Sequence, residues 1–285
     1  MFRILALLVL WTFGAGHCAA SERVLTLTFG GEARRVTAAE LLARPDTTLL
    51  TVPKDPAYHR EMKYRAVPLL ALIGPALNGD FDTIEARASD GYASQIPRSM
   101  VTKSSAGGAV AWVAVEDPAA PWPKLPGQTV SAGPFYLVWE NPERSGVGDA
   151  QWPFSLVSLS GGEDPLKRWP QMAVDRSVAN DAPERRGQTV FAKICLSCHR
   201  IEGAGDGEMG PDLGQPMNVT EYITPKGIRA IIRDPKAVRT WPQQQMEAFD
   251  EAAISNADVD AVIAYLAYMG KRKSARDAAP SKPAP

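Results

Sequence analysis

The hydrophobic pattern changes once along the chain. Residues 21–161 carry short apolar or alternating runs separated by turn residues, which is the pattern of β-strands joined by loops. Residues 181–273 carry apolar positions with a helical period. The stretch between them, 162–180, is charged, contains proline and has no clear periodicity, so it is predicted to be a linker. We therefore expect a β-rich α+β domain followed by an all-α domain.

The N-terminal domain is predicted to begin with a β-hairpin, formed by Val24–Phe29 and Ala33–Val36 around a Gly-Gly turn. Thr37 and Glu40 have the spacing of a capping box, which favours a short helix directly after the hairpin. A second short helix is expected at Pro68–Ile73. Further strands are expected at Thr48–Val52, Met62–Val67, Phe81–Ala88, Ala109–Val115, Phe135–Trp139 and Phe154–Leu159.

Two helices are predicted near the ends of the C-terminal domain. The first begins near Pro183-Glu184, since proline and an acid are typical of a helix N-terminus. The last begins at Ser255, with Asp258 three residues on as in a capping box. Its apolar residues recur at helical spacing: Val259, Val262, Ile263, Leu266 and Met269. Because each helix has an apolar side that needs a partner, we expect the two to pack together. A further helical segment is predicted at Pro225–Ile232.

The first twenty residues have the features of a secretory signal peptide. Arg3 precedes an apolar run, Ile4–Trp11, and small residues follow before a cleavage site after residue 20. The run is too short to span a bilayer, and no later stretch approaches the roughly 18 apolar residues of a transmembrane helix. We therefore expect a soluble protein exported to the periplasm. Lipid attachment through Cys18 is the alternative, which His17 disfavours.

Composition and charge narrow the function classes. The 285 residues are 45% hydrophobic and carry a net charge of -1, which suits two globular domains and gives no electrostatic footprint for nucleic acid. Residues 274–285, rich in Ala, Pro and charge, are predicted to be a disordered tail. No phosphate-binding loop or hydrolase motif occurs. The acid pairs Asp80/Asp82 and Glu116/Asp117 are interpreted as solvated, so no catalytic residue is assigned.

The segment Cys195-Leu196-Ser197-Cys198-His199 carries the candidate chemistry. Two thiols three residues apart can reach the two vinyl groups at a haem edge, and the next residue places an imidazole under the iron. A redox dithiol would leave His199 unexplained, and a zinc site would lack further cysteines. The pattern therefore predicts one covalently attached haem c, bound through Cys195 and Cys198 with His199 as an iron ligand.

The C-terminal domain resembles the class I cytochromes c over roughly residues 181–273. The resembling residues are Gly187, Phe191, the Cys-x-x-Cys-His motif, Gly210-Pro211-Asp212-Leu213, a later methionine, and Tyr265-Leu266. The resemblance implies that the histidine and a methionine are the two iron ligands. It also implies that the carbonyl of Pro211 accepts a hydrogen bond from the second ring nitrogen of His199 and so orients the ligand.

Four methionines follow the motif: Met209, Met217, Met246 and Met269. Met209 adjoins the Gly-Pro turn and Met269 lies on a core stripe, while Met217 leaves little chain to cross to the opposite haem face. The spacing of Met246 matches the family, so Met246 is the expected ligand, with Met217 as the alternative. Glu247 stands where the family often has proline. Trp241 is a candidate haem wall or a buried loop anchor. The other mature histidine, His59, lies in the other domain.

The N-terminal domain resembles the molybdopterin-binding domain of sulfite-oxidase-type oxidoreductases. The resembling stretches are Tyr64–Ile73, Ser89–Pro97 and Gly133–Trp139. Enzymes of that family bind molybdenum through a cysteine thiolate, but this chain has no cysteine between Ser21 and Ile194. We therefore expect a domain that keeps the fold and binds no molybdenum.

These predictions favour an exported monohaem cytochrome that passes electrons between periplasmic redox proteins, more an electron carrier than an enzyme. The donor and the acceptor are not identified by the sequence. The alternative is a bifunctional dehydrogenase, in which the N-terminal domain oxidises a small substrate and passes electrons to the haem. A third hypothesis is a haem-based sensor, which requires a displaceable sixth ligand.

Overall fold

A computed structural model describes residues 23–242 and 244–277. The predicted signal peptide, with Cys18, and the end of the predicted tail lie outside the described residues. Within them the chain has a β-rich N-terminal region and a helical C-terminal region, each with its own cluster of buried apolar side chains. In this part of the chain no helix has the length and hydropathy needed to cross a membrane.

The strands of the N-terminal region form two sheets. Their bounds are β1 Val24–Phe29, β2 Glu32–Thr37, β3 Thr48–Asp55, β4 Arg60–Pro68, β5 Thr83–Ala88, β6 Ala93–Pro97, β7 Val110–Val115, β8 Phe135–Glu140 and β9 Leu156–Gly162. One sheet has the order β2-β1-β9-β5-β6 and the other the order β3-β4-β7-β8. Neighbouring strands are antiparallel except β1 and β9, which are parallel. The fold is thus a β-rich α+β domain.

Short helices connect these strands. They are α1 Ala38–Leu42, α2 Leu69–Ile73 and α3 Arg98–Thr102, with 3-10 turns at Gly74–Asn78, Lys103–Ala106, Pro142–Ser145 and Asp149–Gln151. The predicted capping box begins α1: the amide of Glu40 donates to the Thr37 hydroxyl at 3.1 Å, and the amide of Thr37 donates to the Glu40 carboxylate at 2.7 Å. The local sequence therefore fixes the end of the first hairpin and the start of α1.

Strand β6 was not among the strands predicted from periodicity. Its sequence, Ala-Ser-Gln-Ile-Pro, has one β-branched residue and no alternation, yet its first four residues are buried. Strand β5 covers one edge of β6, and the start of the C-terminal region packs beside it. Burial on both sides removes the alternation on which a sequence prediction of a strand depends.

The C-terminal region is helical. Its helices are α4 Pro165–Arg168, α5 Pro183–Lys193, α6 Val219–Tyr222, α7 Pro225–Arg233, α8 Pro235–Val238 and α9 Asn256–Asp277, with 3-10 turns at Pro170–Met172 and Cys195–Ser197. Ser255 caps α9, since its hydroxyl accepts from the amide of Asp258 at 3.1 Å. Helix α9 continues four residues into the segment 274–285 that composition predicts to be disordered, and residues 278–285 lie outside the described part.

Helices α5 and α9 pack closely against each other. A side chain at Gly187 would overlap the Ala261 carbonyl and lie 2.7 Å from the Cβ of Tyr265, so only glycine allows this approach. The rings of Phe191 and Tyr265 are 5.4 Å apart between centroids. The Tyr265 hydroxyl donates to the carbonyl of Met172 at 2.8 Å. Part of the stretch 162–180, predicted as a linker, is therefore packed on α9.

Candidate haem-binding site

The Cys-x-x-Cys-His segment forms a tight turn directly after α5. The amide of Cys198 donates to the carbonyl of Cys195 at 3.1 Å, and the amide of His199 donates to the same carbonyl at 2.9 Å. These bonds bring both sulfur atoms and the imidazole onto one turn of backbone. The turn therefore groups two thiols and one imidazole, the set of side chains that a covalently attached haem would need.

Both cysteines are free thiols in poorly solvated surroundings. Burial raises the pKa of the Cys195 thiol to about 12, with Cys198 as a smaller cause. Burial, and then the charges of Asp90 and Glu247, raises the pKa of the Cys198 thiol to about 12. Reactive redox dithiols have lowered thiol pKa values, so this environment argues against disulfide exchange chemistry. Both thiols are therefore held in the protonated form.

His199 is held in one orientation by backbone. Its Nδ1 lies 2.9 Å from the carbonyl oxygen of Pro211. Because a carbonyl can only accept, Nδ1 must carry the proton, which leaves the lone pair on Nε2 for a metal. Burial lowers the pKa of His199, so the imidazole is held in the neutral form that ligates iron.

Gly210 allows the loop to approach this ring. A Cβ at Gly210 would overlap the His199 imidazole, lying 2.5 Å from Nδ1 and closer still to Cε1. The amide of Gly210 donates to the carbonyl of Cys198 at 2.9 Å, which ties the loop that carries Gly210 and Pro211 to Cys195–His199, the proposed attachment segment. In the Gly-Pro pair, Gly210 therefore leaves room for the His199 ring, and Pro211 accepts the hydrogen bond from that ring.

Asp212 has a structural role at this site that the sequence did not predict, although it belongs to the Gly210–Leu213 stretch noted above. Its carboxylate accepts from the amides of Glu202 at 2.9 Å, Gly203 at 2.7 Å and Gly214 at 2.8 Å. Three amide donors on one carboxylate fix the loop that carries Pro211. The only sequence signal was an acid directly after a proline in a turn, which many surface loops share.

The four candidate methionines lie in different environments. Met269 is fully buried in the C-terminal cluster, and Met217 is 48% exposed. The sulfur of Met209 lies 3.7 Å from the sulfur of Cys198. Met246 is half-buried, and its neighbour Glu247 is close enough to raise the pKa of the Cys198 thiol. The segment that carries Met246 therefore approaches the attachment segment, although its sequence separation is large.

Trp241 and His59 complete the set of predicted candidates. Trp241 is 46% exposed, and the Arg239 guanidinium stacks on its ring at 4.1 Å from the centroid. His59 is exposed in the turn between β3 and β4, in the sheet that does not contain β5 and β6.

A cluster of buried apolar side chains in the C-terminal region packs beside the Cys-x-x-Cys-His motif. Those fully or almost fully buried include Phe191, Leu196, Ile201, Tyr265 and Leu266, and Cys195 and Leu213 pack partly against them. These side chains would supply the low-polarity surroundings that a haem macrocycle requires. Within the described residues no cluster of three or more His, Cys, Asp or Glu side chains could hold a metal ion.

Two comparisons with known proteins bear on this site. No curated protein sequence matches the chain significantly. A family model does match part of it, over residues 184–270, and the matched stretch contains the attachment segment, the Gly-Pro turn, Met246 and most of α9. Residues 184–270 match the family described as cytochrome c, which supports a haem electron carrier with covalently bound haem c in this part of the chain.

Proposed function

We propose that this protein is an exported monohaem c-type cytochrome that carries electrons between redox partners in the periplasm, either as a free carrier or as the haem subunit of an oxidoreductase system. The observation that carries the proposal is the tight turn of Cys195, Cys198 and His199 together with the 2.9 Å contact between His199 Nδ1 and the Pro211 carbonyl. The residues 1–20 of the sequence supply the export signal.

The bound haem would supply a one-electron Fe(III)/Fe(II) couple. The residues of this chain have three tasks around it. Cys195 and Cys198 anchor the macrocycle as thioethers. His199 offers Nε2 to the iron, and Pro211 holds the proton of the imidazole on Nδ1. Phe191 and Leu196 exclude water from the apolar side.

We assign the sixth ligand to Met246, with Met217 as the alternative. Met246 is half-buried next to a residue whose charge acts on Cys198, whereas Met217 is about half exposed. Methionine together with histidine as iron ligands would favour a relatively high reduction potential, which suits a carrier that accepts electrons readily. Trp241, close in sequence to Met246, would lie at the haem edge on this assignment.

We further propose that the N-terminal domain has a molybdopterin-binding type of fold, binds no molybdenum and serves in partner docking. The support is the sequence: the stretch between Ser21 and Ile194 contains no cysteine to ligate the metal. The bifunctional dehydrogenase remains the competing hypothesis, and the metal content of the protein distinguishes the two.

The central proposal is tested by producing the full chain with its leader in a host that attaches haem to exported proteins. We expect the mature chain to gain the mass of one haem, and the haem to survive denaturation. Variants Cys195→Ser and Cys198→Ser should each retain at most one thioether, and the double variant none. A mature wild-type chain that carries no covalent haem under these conditions would overturn the proposal.

A further inference from the structure

The turn between β5 and β6 of the N-terminal domain lies directly on the loop that follows the attachment segment. The amide of Glu208 donates to the carbonyl of Gly91 at 3.0 Å. Gly91 has a φ of +93°, and a Cβ there would lie 2.9 Å from the Cβ of Glu208. Only glycine permits both this backbone conformation and this approach. The N-terminal domain therefore contacts the haem-binding region backbone to backbone.

Tyr92, the next residue of this turn, reaches the attachment segment itself. Its hydroxyl donates to the carbonyl of Ala150 at 2.9 Å. The side chains of Ser197 and Cys198 are close enough to act on the pKa of this hydroxyl, and strand β6, which begins at the next residue, packs against the turn Cys195–Ser197. Burial raises the pKa of Tyr92, so the hydroxyl stays protonated at physiological pH. Ser197, which lies between the two cysteines, is only 2% exposed. The polar side of the attachment segment is thus covered by the N-terminal domain.

A second set of contacts holds the same loop at Asp206, two residues before Glu208. Asp206 forms ion pairs with Arg168 at 2.6 Å and with Arg87 at 3.9 Å, and Arg168 also pairs with Glu85 at 3.1 Å. Glu85 and Arg87 belong to β5 of the N-terminal sheet. These partly buried pairs fix the position of Asp206 relative to the sheet.

The glycines on either side of Asp206 pack closely against the Cys195–His199 segment. A Cβ at Gly205 would lie 2.7 Å from Leu196 and 3.3 Å from the His199 carbonyl oxygen. A Cβ at Gly207 would lie 2.6 Å from the carbonyl carbon of Cys198. The loop therefore rests on the backbone of the attachment segment while its charged residue is held by the N-terminal domain.

A third contact joins the end of α5 to the N-terminal domain. The Gln151 side chain, which is 1% exposed, donates to the carbonyl of Lys193 at 3.1 Å. The ammonium of Lys193 donates to the carbonyl of Gly146 at 3.1 Å. Because Lys193 ends α5 and only Ile194 separates it from Cys195, the N-terminal domain contacts the chain both before and after the Cys195–His199 segment.

From these contacts we infer that the N-terminal domain is part of the haem environment, and that Tyr92 is a positioning residue that excludes water from the Cys195–His199 segment and thereby sets the reduction potential of the haem. This inference rests on the proposed function. The potential of a haem depends on its burial, on nearby dipoles and on hydrogen bonds to its ligands. Water beside the segment favours the more highly charged Fe(III) state, so loss of Tyr92 should lower the potential.

The test measures the midpoint potential of the full-length holoprotein by spectroelectrochemistry. Variants Tyr92→Phe, Tyr92→Leu and Tyr92→Ala remove the hydroxyl, the ring and the whole side chain in turn. Tyr222→Ala is the matched control, since Tyr222 is a tyrosine of the C-terminal region that is 55% exposed. Haem content and the ultraviolet-visible spectrum are recorded for every variant.

We expect the potential to fall in the order wild type, Tyr92→Phe, Tyr92→Leu and Tyr92→Ala. At a fixed electrode potential, the ratio of oxidised to reduced haem should rise about tenfold in the alanine variant, which corresponds to about 59 mV for a one-electron couple. Tyr222→Ala should match the wild type. If Tyr92→Ala loads no haem, the phenylalanine and leucine variants decide the question.

Loaded Tyr92 variants whose potentials all equal that of the wild type would overturn the inference while leaving the proposed function intact. A wild-type chain without covalent haem would instead refute the proposed function. The two failures are therefore distinguishable in the same set of samples.

Discussion

The imidazole of His199 and the carbonyl of Pro211 face each other at 2.9 Å, twelve residues apart along the chain. Asp212 holds this loop through its contacts with backbone amides, and Gly210 leaves room for the ring. The orientation of the histidine is therefore a property of the loop rather than of the attachment segment alone.

Gly210→Ala should destabilise the holoprotein by about 1 to 3 kcal/mol, the usual cost of inserting a methyl group into a packed site. The added Cβ would overlap the His199 ring, so the visible spectrum should also change. The measurement is denaturant unfolding followed by haem absorbance. Gly148→Ala is the control, because a Cβ there meets one side-chain atom at 3.5 Å, an ordinary contact. Equal stabilities of the two variants would contradict this account of the loop.

Met246→Ala should abolish the far-red absorption band that methionine ligation gives to the oxidised haem of class I cytochromes c, and should lower the reduction potential. Met217→Ala should leave both unchanged, since Met217 is 48% exposed. The spectra of the two oxidised variants check the assignment. Loss of the band in Met217→Ala with its retention in Met246→Ala would reverse the choice of ligand.

Tyr265→Phe should lower the free energy of unfolding by about 1 to 2 kcal/mol, because it removes a buried hydrogen bond to the Met172 carbonyl and leaves that carbonyl without this donor. The ring contact with Phe191 is retained, so haem content should not change. Tyr222→Phe, on an exposed side chain, should lie within about 0.5 kcal/mol of the wild type. A Tyr265→Phe variant as stable as this control would show that the bond contributes nothing.

The interdomain acid Asp206 should make stability depend on pH. Burial, and then the neighbouring Glu85, raises the pKa of Asp206 from 3.8 to about 6. An acid with a raised native pKa binds its proton more tightly when folded, so this contribution to stability should be complete below about pH 3.8 and should be lost as the pH rises through about 6.

Glu85 acts in the opposite sense at lower pH. Burial raises its pKa, but hydrogen bonds with Asp206 and Gln95, together with the charge and hydrogen bond of Arg87, outweigh this and hold the pKa below its ordinary value of 4.5. Its contribution is therefore complete above that pH and lost on acidification. Thermal unfolding across pH 4.5 to 6.5 should show a decline in the wild type that Asp206→Asn lacks. Parallel curves for the two proteins would exclude Asp206 as the cause.

Metal analysis should find about one iron per chain and far less than one molybdenum in protein from cells supplied with molybdate. The reason is the absence of a cysteine ligand between Ser21 and Ile194. Stoichiometric molybdenum would support the bifunctional dehydrogenase and would show that ligands other than cysteine hold the metal.

Local patterns predicted the elements whose cause is local. The hairpin of β1 and β2, the Thr37–Glu40 capping box and the Ser255 cap all depend on residues within a few positions of each other. The prediction that a β-rich region precedes a helical one is also confirmed. Strand β6 was missed because its burial comes from neighbours distant in the sequence.

The sequence by itself determined the prediction of haem attachment, because the two thiols and the imidazole that it requires lie within five consecutive residues. Only the tertiary structure decided what surrounds them. The packing of β6 against the turn Cys195–Ser197 and the contacts of Gly91 with Glu208 and of Arg168 with Asp206 join elements with no shared periodicity. Such contacts depend on how two separately folded cores meet, and a linear pattern carries no record of that geometry.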